Sequence, residues 1–387
     1  MSIGEIDELL QTSVLEGGVP GVVALAANRE GVIYQGAFGR RSTDSDTPMT
    51  IDSVFWIASM SKAVTTVAAM QLVEKGMLHL DEPVNRLLPD LTSLKIIEGF
   101  DNDGLPRLRE PVRPITLCHL LTHTSGFAYE FFNPDILNYM SHEQIPTVLA
   151  CMNVSLKTPL VHDPGEKWEY GISLDWTGKA IEAASGQSLN DYMRDNIFVP
   201  LGMNDTGFII QPSMRARMAA MHQREEDGLL TPIDFEMPQE PEFFMGGGGL
   251  YSTGGDYLKL LQMILQGGSL NGVRILQPET IKEMGRNQIG EINVGPLKSA
   301  IPSLSKDAEF FPGMIKKWGL GFMLTTKDAP TGRSSGSMSW VGLCNSFFWI
   351  DPVKQITGLM LTQVLPFADA QVLDLNDRFE TSIYRQL

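Results

Sequence analysis

Ile6, Leu9, Leu10 and Val14 recur at helical spacing ahead of Gly17-Gly18 and predict a short amphipathic helix. The pattern then shifts to strand-like runs. Val22-Val23-Ala24-Leu25-Ala26 and Val32-Ile33-Tyr34-Gln35 flank Asn28-Arg29-Glu30-Gly31, which reads as a β-hairpin. Asp52 to Ala58 is short, apolar and partly β-branched or aromatic. From Met60 to Lys75 the polar face disappears: Ala63, Val64, Val67, Ala68, Ala69, Met70, Leu72 and Val73 surround the helix. A helix that is apolar all round is a buried one. Lys75-Gly76 supplies its stop, a cation at the negative end with glycine beyond.

Between Asp81 and Pro241 the signals are mostly helical, with long proline-marked loops. Ser188-Leu189-Asn190-Asp191 caps one such helix, and another runs from Asp256 to Gln266 after Gly246–Gly249. Strand character returns in Leu320–Leu324, Ser346–Ile350 and Ile356–Leu361, the last two joined through Asp351-Pro352. A closing helix carries Val372, Leu375, Phe379 and Ile383 on one face. Strands at both ends with helices between them predict a discontinuous α/β domain, residues 1–80 and 245–387. A mainly helical insertion, residues 81–244, leaves a cleft between the two as the place for a site.

Composition narrows the function classes. The chain has 387 residues, 43% of them hydrophobic, enough for a large core. With 30 Lys+Arg against 46 Asp+Glu, the formal charge of −16 disfavours nucleic acid and anionic membrane as partners. Cys118, Cys151 and Cys344 are odd in number and far apart, so neither a disulfide framework nor a paired-cysteine zinc site is read from them. The start is acidic, unlike a secretory signal, and no apolar run reaches the length of a membrane span. The default location is the cytoplasm, and the oligomeric state is not legible.

The best chemistry lies at Ser59-Met60-Ser61-Lys62, where a strand-like run meets the buried helix. Residues three apart share a helix face, so Lys62 can reach the Ser59 hydroxyl. The helix start offers unpaired N–H groups to an oxyanion, and burial makes a lysine easier to deprotonate. The bland alternative is an N-cap serine with a surface lysine. Chance alone gives on the order of one such spacing in a chain of ordinary composition, and Ser303-Leu304-Ser305-Lys306 is a second match in a polar stretch. Gly332-Arg333-Ser334-Ser335-Gly336 fits G-x-S-x-G but lacks the strand before it and the helix after it. His119 and His123 are four apart without the glutamate of a zinc-hydrolase helix, so no metal site is expected.

Several motifs in order resemble the β-lactamase/DD-peptidase-like serine hydrolases of class C type, and among them the family VIII carboxylesterases. Ser59-Met60-Ser61-Lys62 is similar to the first motif, and Pro114 to Gly126, including Leu120-Leu121-Thr122-His123-Thr124-Ser125-Gly126, to the central signature. Pro164-Gly165-Glu166-Lys167-Trp168-Glu169-Tyr170 leads into what resembles the tyrosine motif. Leu201–Thr206, Gly247–Thr253 and Ser339-Trp340-Val341-Gly342 follow in the same order. The resemblance implies an antiparallel sheet flanked by helices plus the inserted helical domain.

It also implies roles. Ser59 is the expected nucleophile, with Lys62 and Tyr170 as a general base and acid sharing one proton. The backbone N–H groups of Ser59 and Leu343 are the expected oxyanion hole. Ile172 stands where true β-lactamases carry an asparagine, and Trp340 where they carry a base, so β-lactam turnover is disfavoured. Trp340, Gly342, Ile172, Phe127, Tyr129 and Phe131 are the expected substrate pocket, and the bulk of Leu343 narrows it. The expected function is hydrolysis of neutral short- to medium-chain carboxylic esters through an acyl-enzyme, without cofactor or metal. The alternatives are an acyltransferase, a weak β-lactamase or peptidase on the same site, or a silent scaffold.

Overall fold

The computed structural model describes residues 3–386. Its centre is a seven-stranded sheet built from both ends of the chain. The strands are β1 (Gly21–Asn28), β2 (Val32–Gly39), β3 (Lys316–Trp318), β4 (Met323–Thr325), β5 (Met338–Gly342), β6 (Ser346–Asp351) and β7 (Ile356–Leu361). Their spatial order is β3-β4-β5-β6-β7-β1-β2, and every neighbouring pair is antiparallel. The two ends of the sequence meet in the β1–β7 pair, where Val23 lies opposite Leu361.

Helices cover both faces, which is why β6 and β7 are buried at every position instead of alternating. Successive strand residues point to opposite faces. Trp349 meets Phe379 of α5 (Ala370–Tyr384), and its neighbour Phe348 meets Tyr257 of α4 (Gly254–Leu265). α1 (Ile3–Leu15) packs beside α5. α2 (Ser61–Glu74) is buried at every residue from Ser61 to Leu72, as its pattern predicts, and packs against α3 (Ser173–Ser185).

Two predictions need correction. The stretch between residues 81 and 244 is less helical than read: it holds hairpins Ile96–Phe100/Pro106–Arg109 and Met221–Arg224/Leu230–Ile233. Each turns through an Asp-Gly sequence with a left-handed glycine, Gly104 at φ +80° and Gly228 at φ +89°. The second is Leu320–Leu324, where Gly321 at φ +81° interrupts extended backbone and delays the strand to Met323. Among the described residues no helix is long and apolar enough to cross a membrane.

Candidate active site

A strand, Val54–Trp56, leads into Ser59 through a sharp turn. Ala58 sits at φ +44°, a left-handed conformation that costs a non-glycine residue on the order of 1 kcal/mol or more. The turn is clamped on both sides. Ile57 N–H donates to Leu250 O at 3.0 Å, and Trp56 Nε1 donates to Gly248 O at 2.7 Å. The end of β5 lies against the other side, so that a Cβ on Gly342 would come within 2.7 Å of the Ile57 carbonyl oxygen. Gly342 is thus a spacing residue: any Cβ there would hold β5 away from the Ser59 turn.

Lys62 follows one helical turn later and is completely buried. Its Nζ donates to Ser59 Oγ at 3.1 Å, Tyr129 OH at 2.9 Å and Gly247 O at 2.6 Å. Burial pushes the amine's pKa well down, against an opposing pull from the Asp175 carboxylate. Tyr170 reaches the same serine: a Ser59 hydrogen bond and the Trp340 indole oppose the upward push that burial gives its phenol. The indole Nε1 donates to Tyr170 OH at 2.9 Å. Lys62 and Tyr170 therefore converge on Ser59 without a hydrogen bond to each other. The amine lies over the phenol ring, 4.8 Å from its centroid. The two groups expected from sequence to share a proton meet at the Ser59 oxygen.

Ser59, Tyr170, Trp340 and Leu343 face one small cavity, walled by Phe131, Phe132, Leu297 and Phe367. Its free volume is about 10 Å³, room for about one water. Ser59 and Leu343, whose N–H groups are the expected oxyanion donors, both line it. The other expected wall residues lie elsewhere. Phe127 is fully buried and stacks on Trp176, 5.9 Å between centroids, so it belongs to the core behind the site. Ile172 is buried at the cap of α3 and also lies outside the wall. Tyr129 is a partner of Lys62, not a wall.

Asp175 is the residue that sequence reasoning missed. It is fully buried on α3, accepts the Gly247 N–H at Oδ1 (2.8 Å), and is pushed up by burial against the attraction of Lys62. A carboxylate between Leu174 and Trp176 on an otherwise buried helix face was the available signal. The two central histidines separate in role. His119 Nδ1 accepts the Thr116 N–H at 3.2 Å in a capping box. His123 is buried, held below its usual pKa by burial and by Lys62, and packs on Tyr170 at 4.8 Å and Trp318 at 5.2 Å.

The rival serines stand apart from this cluster: Ser303 is exposed in a turn, and Ser334 is buried in a loop, its N–H donating to Asp351 Oδ2 at 2.8 Å. Among the described residues no cluster of His, Cys, Asp and Glu is placed to hold a metal ion.

Known proteins resemble this chain over nearly its whole length. Monacolin J acid methylbutanoyltransferase of Aspergillus terreus is 35% identical over 384 residues, covering 95% of this chain and 92% of its own. Lovastatin esterase of Penicillium rubens is 30% identical over 399 residues, covering 98% of each. The unliganded, selenomethionyl structure of simvastatin synthase (LovD) from Aspergillus terreus superposes with a TM-score of 0.87 at 32% identity, covering 99% of this chain and 98% of that one. The Beta-lactamase family model matches residues 6–381. The chain belongs to the beta-lactamase family, with the β-lactamase/DD-peptidase-like fold of its LovD-type members.

Proposed function

We propose that the protein is an acyltransferase that carries a short acyl group on Ser59 and delivers it to a hydroxyl of a small apolar acceptor. The observation that carries this is the meeting of Lys62 and Tyr170 on Ser59 inside a small apolar cavity. Ser59 Oγ attacks the donor carbonyl while its proton passes to neutral Lys62. The N–H groups of Ser59 and Leu343 receive the oxyanion. The proton then leaves with the alcohol or thiol, through Lys62 or the Tyr170 phenol. The acceptor hydroxyl gives its proton to the same pair and attacks the acyl-enzyme, which frees Ser59. The relatives support transfer over simple hydrolysis, since acyltransferase names recur among them at 33–36% identity. The methylbutanoyl group in two of those names sets the acyl size to test first.

Ester hydrolysis is the second reading, favoured by the lovastatin esterase match. It differs only in using water as acceptor. Both are tested by incubating the protein with a methylbutanoyl thioester, with and without monacolin J acid as the acceptor alcohol, and resolving products by mass spectrometry. Transfer predicts acylated alcohol exceeding free acid, and Ser59→Ala should abolish both. Free acid alone at saturating alcohol would replace transfer with hydrolysis. Turnover retained in Ser59→Ala would remove both readings.

A further inference from the structure

Lys62 must be neutral before Ser59 attacks and charged immediately afterwards, in a place without water. The three acceptors around its nitrogen, Ser59 Oγ, Tyr129 OH and Gly247 O, are all neutral. They orient the amine but carry no charge to balance it. We propose that Asp175, acting through Tyr129 and Gly247, is the positioning residue that holds the Lys62 amine on Ser59 and balances the ammonium formed when Ser59 gives up its proton. This rests on the reading of Ser59 as nucleophile and Lys62 as its base.

Three contacts define the arm. Gly247 uses both of its peptide groups, its C=O accepting from Lys62 at 2.6 Å and its N–H donating to Asp175 at 2.8 Å. The Tyr129 hydroxyl accepts from Lys62 and interacts in turn with the Asp175 carboxylate. Asp175 Oδ2 finds no other partner. The space is filled to contact: a Cβ on Gly247 would lie 2.7 Å from Asp175 Oδ2 and 2.8 Å from Tyr129 OH. Only glycine at 247 lets the carboxylate, the phenol and the amine converge.

The surrounding groups leave Asp175 alone in this role. On α2 it faces Lys62, beside which His123 also lies, and from the segment packed over it Tyr129 and Glu130. Tyr170 precedes α3, and Cys151 lies within its field. Glu130 is committed to Thr147 Oγ1 at 2.5 Å and Val148 N–H at 3.1 Å. His123 is held neutral, and the Cys151 thiol is pushed up to about 12, so neither offers a charge near neutrality. The logic is that of the acid in a catalytic triad, which stabilises the charged base without taking its proton. When Oγ bonds to the acyl carbon, the serine proton moves to Nζ and the ammonium gains Asp175 as counter-charge. When the leaving group departs, it takes that proton and the amine returns to neutral.

The test is the pH dependence of Ser59 phosphonylation by a fluorophosphonate, which needs no knowledge of donor or acceptor. Wild type should label at Ser59 with a rate that rises as Lys62 loses its proton. In Asp175→Asn, which still accepts the Gly247 N–H, the acid limb should move down by about one pH unit, because a carboxylate no longer favours the ammonium. The plateau rate should fall about 10-fold or more. Tyr129→Phe should shift the limb in the same direction, and it decides the matter if Asp175→Asn does not fold. An unmoved or raised midpoint in the folded variant overturns the role of Asp175 while leaving Ser59 intact. Wild-type label mapping away from Ser59 overturns the nucleophile and this proposal together.

Discussion

Trp340 occupies the place where a base would hold a β-lactam carboxylate, and its structural work here is different: its indole N–H is bonded to the Tyr170 oxygen at 2.9 Å. Trp340→Phe removes that donor and keeps an aromatic ring among Trp318, Tyr170 and Phe310, whose centroids lie 4.6, 5.0 and 5.8 Å away. In the resting state the bond is a neutral one, worth about 1 kcal/mol net. If the phenol oxygen gains negative charge during proton transfer, the same bond becomes charge-assisted and worth roughly 1.5–3 kcal/mol. At about 1.4 kcal/mol per tenfold, kcat/KM for acyl transfer should fall roughly 10- to 100-fold. Loss of the donor also raises the phenol pKa further, since the indole opposes the push from burial. The smaller ring leaves a void that lowers stability by about 1–3 kcal/mol, so the assay pairs kcat/KM with urea denaturation. A folded variant with less than about a twofold change in kcat/KM would refute the claim that this bond tightens in the transition state.

Three further outcomes follow from packing and charge. Gly321→Ala places a Cβ 2.2 Å from Thr66 Oγ1 at a φ of +81°, and should cost about 2–4 kcal/mol in denaturant unfolding, with loss of activity only as the fold is lost. Arg333→Met strips the fully buried Glu380 of its partner, now 2.5 Å away, and should destabilise by about 3–5 kcal/mol, largely recovered in the double variant with Glu380→Leu. Asp377 lies on the exposed side of α5, where partial desolvation and the neighbouring Glu380 push its pKa up to about 6, so its ionisation opposes the folded state. Stability should fall as pH rises from the unfolded carboxylate pKa through that value. Asp377→Asn should then be more stable than wild type above pH 6, by about 1 kcal/mol after allowing for its partial exposure, with no gain below pH 4.

The sequence carried the parts of the site that depend on local order. Ser59 and Lys62 are one helical turn apart, and the apolar stretch after them could only be buried, so the position of the amine was readable before any tertiary contact was known. Tyr170 and Trp340 needed motif order, because nothing in their own neighbourhoods says that a phenol and an indole will meet. The pairing of Asp175 with Gly247 lay out of reach. Their meaning depends on a close approach between α3 and a glycine run 72 residues away, and that approach has no period to detect. Tyr129 and Phe127, two residues apart in a loop, looked equivalent as pocket aromatics. The loop turns one toward the amine and the other into the core against Trp176. The short hairpins between residues 81 and 244 were missed for a related reason: strands of four or five residues with one exposed face give too few positions to separate a period of two from noise.

The burial that fits Lys62 to the proposed role of base also bears on the choice between transfer and hydrolysis. A lysine in water is protonated near neutrality and cannot accept the serine proton. Burial alone brings its pKa down, so the surroundings that exclude water are a condition of the chemistry. Apolar side chains also border the position where the proposed acyl group would sit. Ser59 sits in a cavity of about 10 Å³ walled by Phe131, Phe132, Leu297 and Phe367, none of which can hold a second water in place by hydrogen bonding. An attacking hydroxyl on an apolar acceptor is favoured there twice, by the area it buries against those side chains and by the water it displaces. Polar replacement of the wall tests this partition, since the Phe132 ring takes no part in the side-chain hydrogen bonds of Lys62, Tyr129 and Tyr170. Phe132→Gln should raise the ratio of free acid to acylated alcohol several-fold at fixed acceptor concentration. An unchanged ratio would mean that the acceptor competes by its own binding geometry and not by the dryness of the site.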